Sequence, residues 1–259
     1  MTRLRPEVLE RKKMATTRVP KTPWIPLESN PDVINQYVHK LGAPDSWQFH
    51  DVFGLDDEMF EFVPKPVKAV VFLFPIPDDD DEEEEEVAPA PDSADAFFVY
   101  QRIGNACGTI ACLHAFGNNR DQITFTPGSF FARYFATTRH MTPDQRADEL
   151  EEDRALPELR EAHAEAAVQG QTEVPQPDDR INLHFVAFAL HGGILYEFDG
   201  RRDAPVPHGP SSEATILSDV ARVVRAFVEK HPETIQFSLM ALSPGSLDAQ
   251  PPSSTVVPN

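Results

Sequence analysis

The stretch that decides the fold runs Asn182-Leu-His184-Phe-Val-Ala-Phe-Ala-Leu190-His191-Gly192-Gly193-Ile194-Leu-Tyr-Glu-Phe198-Asp199-Gly200. Two apolar runs, rich in β-branched and aromatic residues, flank a His-Gly-Gly triplet. Glycine enters left-handed backbone without a Cβ clash, so the pattern predicts strands over 182–190 and 194–198 joined by a tight hairpin. His184 is out of place in such a run, because a buried ring nitrogen needs a partner. Asp199 closes the second run, and a hairpin would fold it back beside His184. Taken singly, His184 also reads as a satisfied core histidine and Asp199-Gly200 as an ordinary turn.

Outward from the hairpin, Lys68 to Phe74 (KAVVFLF) reads as a short buried strand and Ile235 to Leu242 as a final one. Glu213 to Lys230 is amphipathic at helical spacing, with Ile216, Leu217, Val220, Val224 and Phe227 on one face. Upstream, Asn30 is placed to cap a helix whose first residue is Pro31; Val33, Ile34, Tyr37, Val38 and Leu41 form its apolar face and Gly42 ends it. Phe97 to Ile103 reads as a strand or an extended lead-in to a helix over Cys107–Phe116, with Ile110, Ala111 and Leu113 inward. Thr142-Pro-Asp-Gln145 has the capping-box pattern of a helix running to about Asp153. Residues 157–177 are poor in large apolar side chains and are expected to form a long connection. The whole predicts an α/β (α+β) chain with antiparallel pairing and one core over residues 24–242. A flexible extension (1–23) and a Pro/Ser-rich tail (243–259) flank it, and no internal repeat is visible.

Composition excludes several functions. The 259 residues carry 23 Lys+Arg against 42 Asp+Glu, a net charge of −19. Nine of the acids form one run, Asp78–Glu86, and the rest of the chain still stands at −10. Such a field repels nucleic acid and anionic lipid and attracts basic partners. The acidic run and the proline-bearing residues after it, 78–96 together, read as a solvated loop. The longest apolar stretch, Val67–Pro77, is well short of the ~20 residues that span a bilayer. Met1–Arg18 mixes Arg, Lys and Glu with no apolar core, so no signal peptide is expected. Cys107 and Cys112, five residues apart on one helix, would sit roughly 8 Å apart, beyond the ~7 Å reach of a disulfide. Two free thiols suit a reducing compartment, the cytoplasm first and the nucleus second.

Zinc ligation is not supported, because Cys107 and Cys112 lack short loop spacing and no His-Glu-x-x-His occurs. Gly104-x-x-x-Gly108 lacks the lysine of a phosphate-binding loop. No metal or cofactor is expected. Thiol chemistry fares better. A cysteine in the first turn of a helix lies in the positive end of the macrodipole, which favours thiolate. Gly108 beside it would leave room for a substrate backbone. The plain alternative is that Cys107, like Cys112, is a small buried hydrophobe. A nucleophilic cysteine also needs a base and an orienting group, and His184 and Asp199 are the candidates.

The order of these residues adds to the reading. Gln101-Arg-Ile-Gly-Asn-Ala-Cys107-Gly-Thr-Ile resembles the active-site box of the ubiquitin C-terminal hydrolases, a family of cysteine peptidases. Leu183-His184-Phe-Val-Ala187 and Leu195-Tyr-Glu-Phe-Asp199-Gly-Arg201 resemble its histidine and aspartate boxes. Trp24-Ile-Pro-Leu-Glu-Ser-Asn-Pro31, Gly170-Gln-Thr-Glu-Val-Pro175 and Phe237-Ser-Leu-Met-Ala-Leu242 extend the likeness over residues 24–242. Gly104 stands where serine is expected in similar members.

The resemblance implies a papain-like fold, a central antiparallel sheet flanked by helices, with a knotted backbone. It implies Cys107 as nucleophile, His184 as base, Asp199 as its orienter and Gln101 in the oxyanion hole. The substrate implied is ubiquitin or a close ubiquitin-like modifier, bound by Pro26, Leu27, Glu28, Ser29, Asn30 and Pro31, by Gln169, Gly170, Gln171, Thr172 and Glu173, and by Ile235 and Phe237. Residues 157–177 resemble the crossover under which the substrate tail passes, so small or unfolded adducts are expected to be cleaved. A monomer of the short, single-domain branch is expected. A ubiquitin-sequestering module without turnover is the alternative, and a thiol hydrolase for an unrelated small substrate stands third.

Overall fold

The computed structural model describes residues 23–76, 95–151, 156–171, 182–231 and 236–245. The acidic run, residues 1–22 of the extension and the tail beyond residue 245 lie outside them; Ser243 and Pro244, expected in the tail, instead complete the last strand, and Ala96, expected in the solvated loop, is buried in the core. The first half contains α1 (Pro31–Lys40), β1 (Trp47–Asp51), α2 (Asp57–Phe60), β2 (Ala69–Pro75), α3 (Cys107–Gly117), α4 (Phe130–Thr137) and α5 (Pro143–Glu151). Then come α6 (Leu156–Ala167), β3 (Leu183–His191), β4 (Ile194–Phe198), β5 (Val206–Pro210), α7 (Ile216–Lys230) and β6 (Ser238–Pro244). The strands form one sheet in the order β1-β6-β2-β3-β4-β5, antiparallel at every pairing.

Local signals act as read. Gly192 and Gly193 carry φ of 58° and 78°, so two consecutive left-handed residues turn β3 back into β4 with the twist that antiparallel strands need. The Asn30 side chain accepts the Asp32 N–H at 3.0 Å and caps α1. Thr142 and Gln145 exchange side chain–backbone hydrogen bonds at the start of α5.

The expectation of one core is corrected: the sheet separates two. Ala69, Val71, Phe185, Ala187, Met240 and Leu242 face α3, α1 and α4 to α6. Their neighbours Val70, Phe72, Val186, Phe188, Leu239 and Ala241 face α7. A strand alternates its side chains between faces, so covering both faces makes the run apolar throughout.

Several elements escaped the sequence reading. Residues 157–177 are not one connection, because α6 occupies their first half and buries Leu159, Ala162, His163 and Ala166. The helix packs by alanine, the strongest helix former, so no run of large apolar residues marks it in the sequence. Strands β1 and β5 were missed because both are edges with mixed or proline-bearing sequences, Trp-Gln-Phe-His-Asp and Val-Pro-His-Gly-Pro. An edge strand tolerates proline on its open side. Residues 97–102 carry no regular secondary structure, Ile103 is a bend, and the stretch joins no strand. Asn118 bonds the Phe97 N–H and C=O, His114 accepts the Val99 N–H, and the Arg146 guanidinium donates to Phe98 C=O. Side chains thus take the place of a ladder. No described helix is long and apolar enough to cross a membrane.

Candidate active site

Cys107 is the first residue of α3, and its buried thiol meets the end of the sheet where β3 begins. His184 is the second residue of β3, and its Nε2 lies 2.8 Å from Asp199 Oδ1. A carboxylate only accepts, so Nε2 carries the proton and donates it. The register pairs Ala187 with Phe198, so one further step sets Asp199 diagonal to His184 on the same face. The backbone N–H of Arg201 also donates to Asp199 Oδ1, at 2.9 Å. With Nε2 taken, coupling to the Cys107 thiol falls to His184 Nδ1, which is buried and otherwise unpartnered. The two groups are coupled electrostatically without reaching full hydrogen-bond geometry.

The titration directions fit one arrangement. Burial alone would push the Cys107 thiol up. Its interactions with His184, the Phe185 backbone and Arg201 outweigh that and hold it below its ordinary value. Burial alone would lower His184, but Asp199 and Cys107 raise it above its ordinary value. Asp199 is buried too, yet His184, the Arg201 backbone and Arg202 keep its carboxyl below the usual range. Together these favour a thiolate beside an imidazolium beside a carboxylate.

Gln101 reaches this end of the molecule through its own backbone, whose N–H donates to Gly200 C=O at 2.8 Å. A Cβ on Gly200 would lie 2.7 Å from Ile110 and 3.0 Å from Gln101 N, so only glycine permits that approach. The Gln101 Nε2 donates to Ile103 C=O at 3.2 Å, while its Oε1 is buried without a partner. Gly108 does not leave open space as expected. The position of its missing side chain is already approached by Leu27 at 3.3 Å and Phe185 at 3.4 Å.

A groove of about 380 Å³ is lined by Glu28, Ser29, Asn30, Pro31, Asp32, Asp51 and Gln171. Ser29 Oγ lies 2.9 Å from Ser238 Oγ, which brings the segment against the start of β6, next to the partly exposed Phe237. The structure therefore gathers residues 28–31 and Gln171 of the expected substrate contacts. Pro26 is half-buried, Gln169 is exposed, and a side chain at Gly170 would meet the Glu28 carboxylate. Leu27 belongs to the core rather than to the surface. Thr172, Glu173 and Ile235 lie outside the described residues. Asp32 and Asp51 were missed, since nothing local sets them apart from other surface acids. Burial and then the Asp32 charge push the Asp51 carboxyl up, as expected where like charges crowd. Among the described residues no group of three or more His, Cys, Asp or Glu side chains is placed to hold a metal ion.

A family model described as ubiquitin carboxyl-terminal hydrolase, family 1, matches residues 24–229. The chain belongs to this family. It is 45% identical over 225 residues to ubiquitin carboxyl-terminal hydrolase 3 of Arabidopsis thaliana, covering 85% of this chain and 94% of the relative. It is 39% identical over 221 residues to ubiquitin carboxyl-terminal hydrolase isozyme L1 of Homo sapiens, covering 84% and 96%. Among solved structures, the UCH37 catalytic domain of Trichinella spiralis bound to ubiquitin vinyl methyl ester matches with a TM-score of 0.71. The likeness covers 90% of this chain and 99% of that one at 22% identity, and it shows a shared fold. The ubiquitin carboxyl-terminal hydrolases are cysteine-type deubiquitinating hydrolases, and the antiparallel sheet flanked by helices expected from the resemblance is the observed architecture.

Proposed function

We propose that the chain cleaves small or unfolded adducts from the C-terminal glycine of ubiquitin, or of a close ubiquitin-like modifier, through a thioester on Cys107. The observation that carries this reading is the Cys107–His184–Asp199 arrangement, with the thiol held down and the imidazole held up. Cys107 Sγ attacks the carbonyl carbon of the terminal glycine, and the carbonyl oxygen becomes an oxyanion. The Cys107 backbone N–H, at a helix start, has no intrahelical partner and points a donor at that oxygen. The Gln101 Nε2 bears two N–H bonds; Ile103 takes one, and the second serves the oxyanion. Such a donor is typically worth about 3–4 kcal/mol in the transition state. His184 then gives its Nδ1 proton to the leaving amine or thiol, while Asp199 stabilises the imidazolium and fixes the ring. Water, deprotonated by His184, attacks the thioester carbonyl and releases the Cys107 thiolate.

The acidic groove formed by Glu28, Asp32 and Asp51 suits a basic C-terminal tail of the modifier. The preference for small leaving groups rests on the family resemblance of the stretch after α6. Steady-state hydrolysis of a ubiquitin C-terminal amide tests the reading directly. Turnover with kcat/KM higher on the amide than on a ubiquitin–ubiquitin conjugate is expected. Tight ubiquitin binding without turnover would replace the reading by a sequestering module.

A further inference from the structure

Helix α6 carries a buried histidine that this chemistry does not use. His163 Nε2 lies 2.7 Å from the carbonyl oxygen of Ile25, and Nδ1 lies 2.8 Å from the Thr109 hydroxyl. That hydroxyl lies 2.7 Å from the Tyr37 hydroxyl. A carbonyl only accepts, so Nε2 holds the proton and donates. Nδ1 is then bare and accepts from the Thr109 hydroxyl, whose oxygen accepts from Tyr37 O–H. One donor direction runs through the whole chain, from Tyr37 to Thr109 to His163 to Ile25. It requires a neutral imidazole, and burial lowers the His163 pKa to about 4 against the opposing bond to Ile25. The Trp24 ring packs on the imidazole with centroids 4.4 Å apart.

The two ends of this chain connect parts that are distant in sequence. Thr109 is the second residue after Cys107 on the nucleophile helix. Ile25 lies near the start of the segment whose residues 28–31 line the acidic groove with Asp32. The same segment makes two other contacts here, one with the turn that leads into the nucleophile helix and one with the helix itself. The Trp24 N–H donates to Gly104 C=O at 2.9 Å, and Leu27 packs over Gly108. The segment joins no strand, so its placement depends on such isolated contacts. We propose that His163 is a positioning residue that, by bonding Thr109 and Ile25 together, holds segment 24–31 against the Cys107 helix in the conformation that lines the groove. The proposal rests on the groove being the substrate site. It makes His163 act on substrate binding, because a segment already in place need not be ordered when substrate arrives. The bonds of the chain involve neither the Cys107 thiol nor His184 nor Asp199.

The test compares Thr109→Val, which replaces the hydroxyl by a methyl group, with Thr109→Ser, which keeps the hydroxyl. His163→Leu removes both bonds of the imidazole. Three quantities are measured on the full chain: kcat/KM for a ubiquitin C-terminal amide, the rate of Cys107 alkylation by iodoacetamide, and amide hydrogen exchange over residues 24–31. Thr109→Val and His163→Leu should lower kcat/KM about five- to tenfold, the range of one to two lost hydrogen bonds, mainly through KM. Exchange over 24–31 should quicken and alkylation should stay within about twofold of the parent, on the scale of a bond that was not touched. Thr109→Ser should restore both exchange and KM. Unchanged exchange in a folded Thr109→Val protein overturns the proposal, as does a Thr109→Ser protein as impaired as Thr109→Val. Alkylation that falls by the same factor as kcat/KM also overturns it, since the damage would then lie at the nucleophile. If His163→Leu does not fold, the threonine pair decides alone. If the parent does not hydrolyse the amide, the proposed function fails while the exchange comparison still tests the tether.

Discussion

Cys107 and Cys112 stand on one helix, both buried, and they titrate in opposite directions. Burial acts on both thiols the same way, by disfavouring the charged form. At Cys112 it acts without opposition and pushes the thiol up to about 12. At Cys107 the end of the sheet supplies His184, the Phe185 backbone and Arg201, and together they bring the thiol below its ordinary value. The helix supplies a further difference, since Cys107 sits at its positive end and Cys112 in its second turn. A lowered thiol pKa is therefore a property of the helix start and what packs against it, and not of a buried cysteine as such.

The largest expected effect breaks that comparison outright. Cys107→Ala should lower turnover of a ubiquitin C-terminal amide by a factor on the order of 10⁵–10⁶, as loss of a nucleophile does, with ubiquitin affinity kept within a few fold. Steady-state kinetics and a binding titration read both; retained hydrolysis would remove Cys107 from its role. The next effect concerns the imidazole. Asp199→Asn should cost roughly 10²–10⁴ in kcat, because an amide can hold the ring in the wrong tautomer and gives the imidazolium no charge. It should also move the alkaline limb of the pH–rate profile to lower pH, since Asp199 is what raises His184 most. An unmoved profile and unchanged kcat would exclude Asp199.

A third prediction sharpens the contrast through the other buried histidines. Burial lowers His114 and His163 to about 4 each, against opposing hydrogen bonds to backbone. Between that value and the ordinary ~6.5 of an unfolded histidine, the unfolded chain binds more protons than the folded one. Stability should therefore fall as pH drops through this window, by on the order of 2 kcal/mol per histidine. His184 has the opposite sign: its contribution is present below ~6.5 and is lost as pH rises through its raised folded value. Urea midpoints at several pH values measure the slope, and His114→Phe or His163→Leu should each flatten its acid side. A midpoint that rises on acidification from pH ~6.5 would contradict the neutral state of both rings. The smallest effect is that of Cys112→Ala, which should cost about 1 kcal/mol through a lost buried thiol and leave kcat alone. If it abolishes activity instead, the two cysteines have exchanged roles.

The sequence by itself determined whatever acts over a few residues. Gly192-Gly193 dictates the hairpin that brings Asp199 to His184. Asn30-Pro31 and Thr142-x-x-Gln145 dictate helix starts, and the spacing of Cys107 and Cys112 keeps both thiols free. These signals are local because caps, tight turns and face periodicity are complete within about one turn or one strand. The tertiary structure alone decided which partner each buried polar group finds. The backbone of residues 97–99 takes its hydrogen bonds from Asn118, His114 and Arg146, so an apolar stretch that resembles a strand joins no sheet. Alanines let α6 pack closely where no large side chain announced a helix, and that packing seats His163 between Thr109 and Ile25. Asp32 and Asp51 share a groove although they stand 19 positions apart in the sequence. Satisfaction of buried donors and acceptors depends on chain segments far apart in sequence, and no local pattern records which of them will meet.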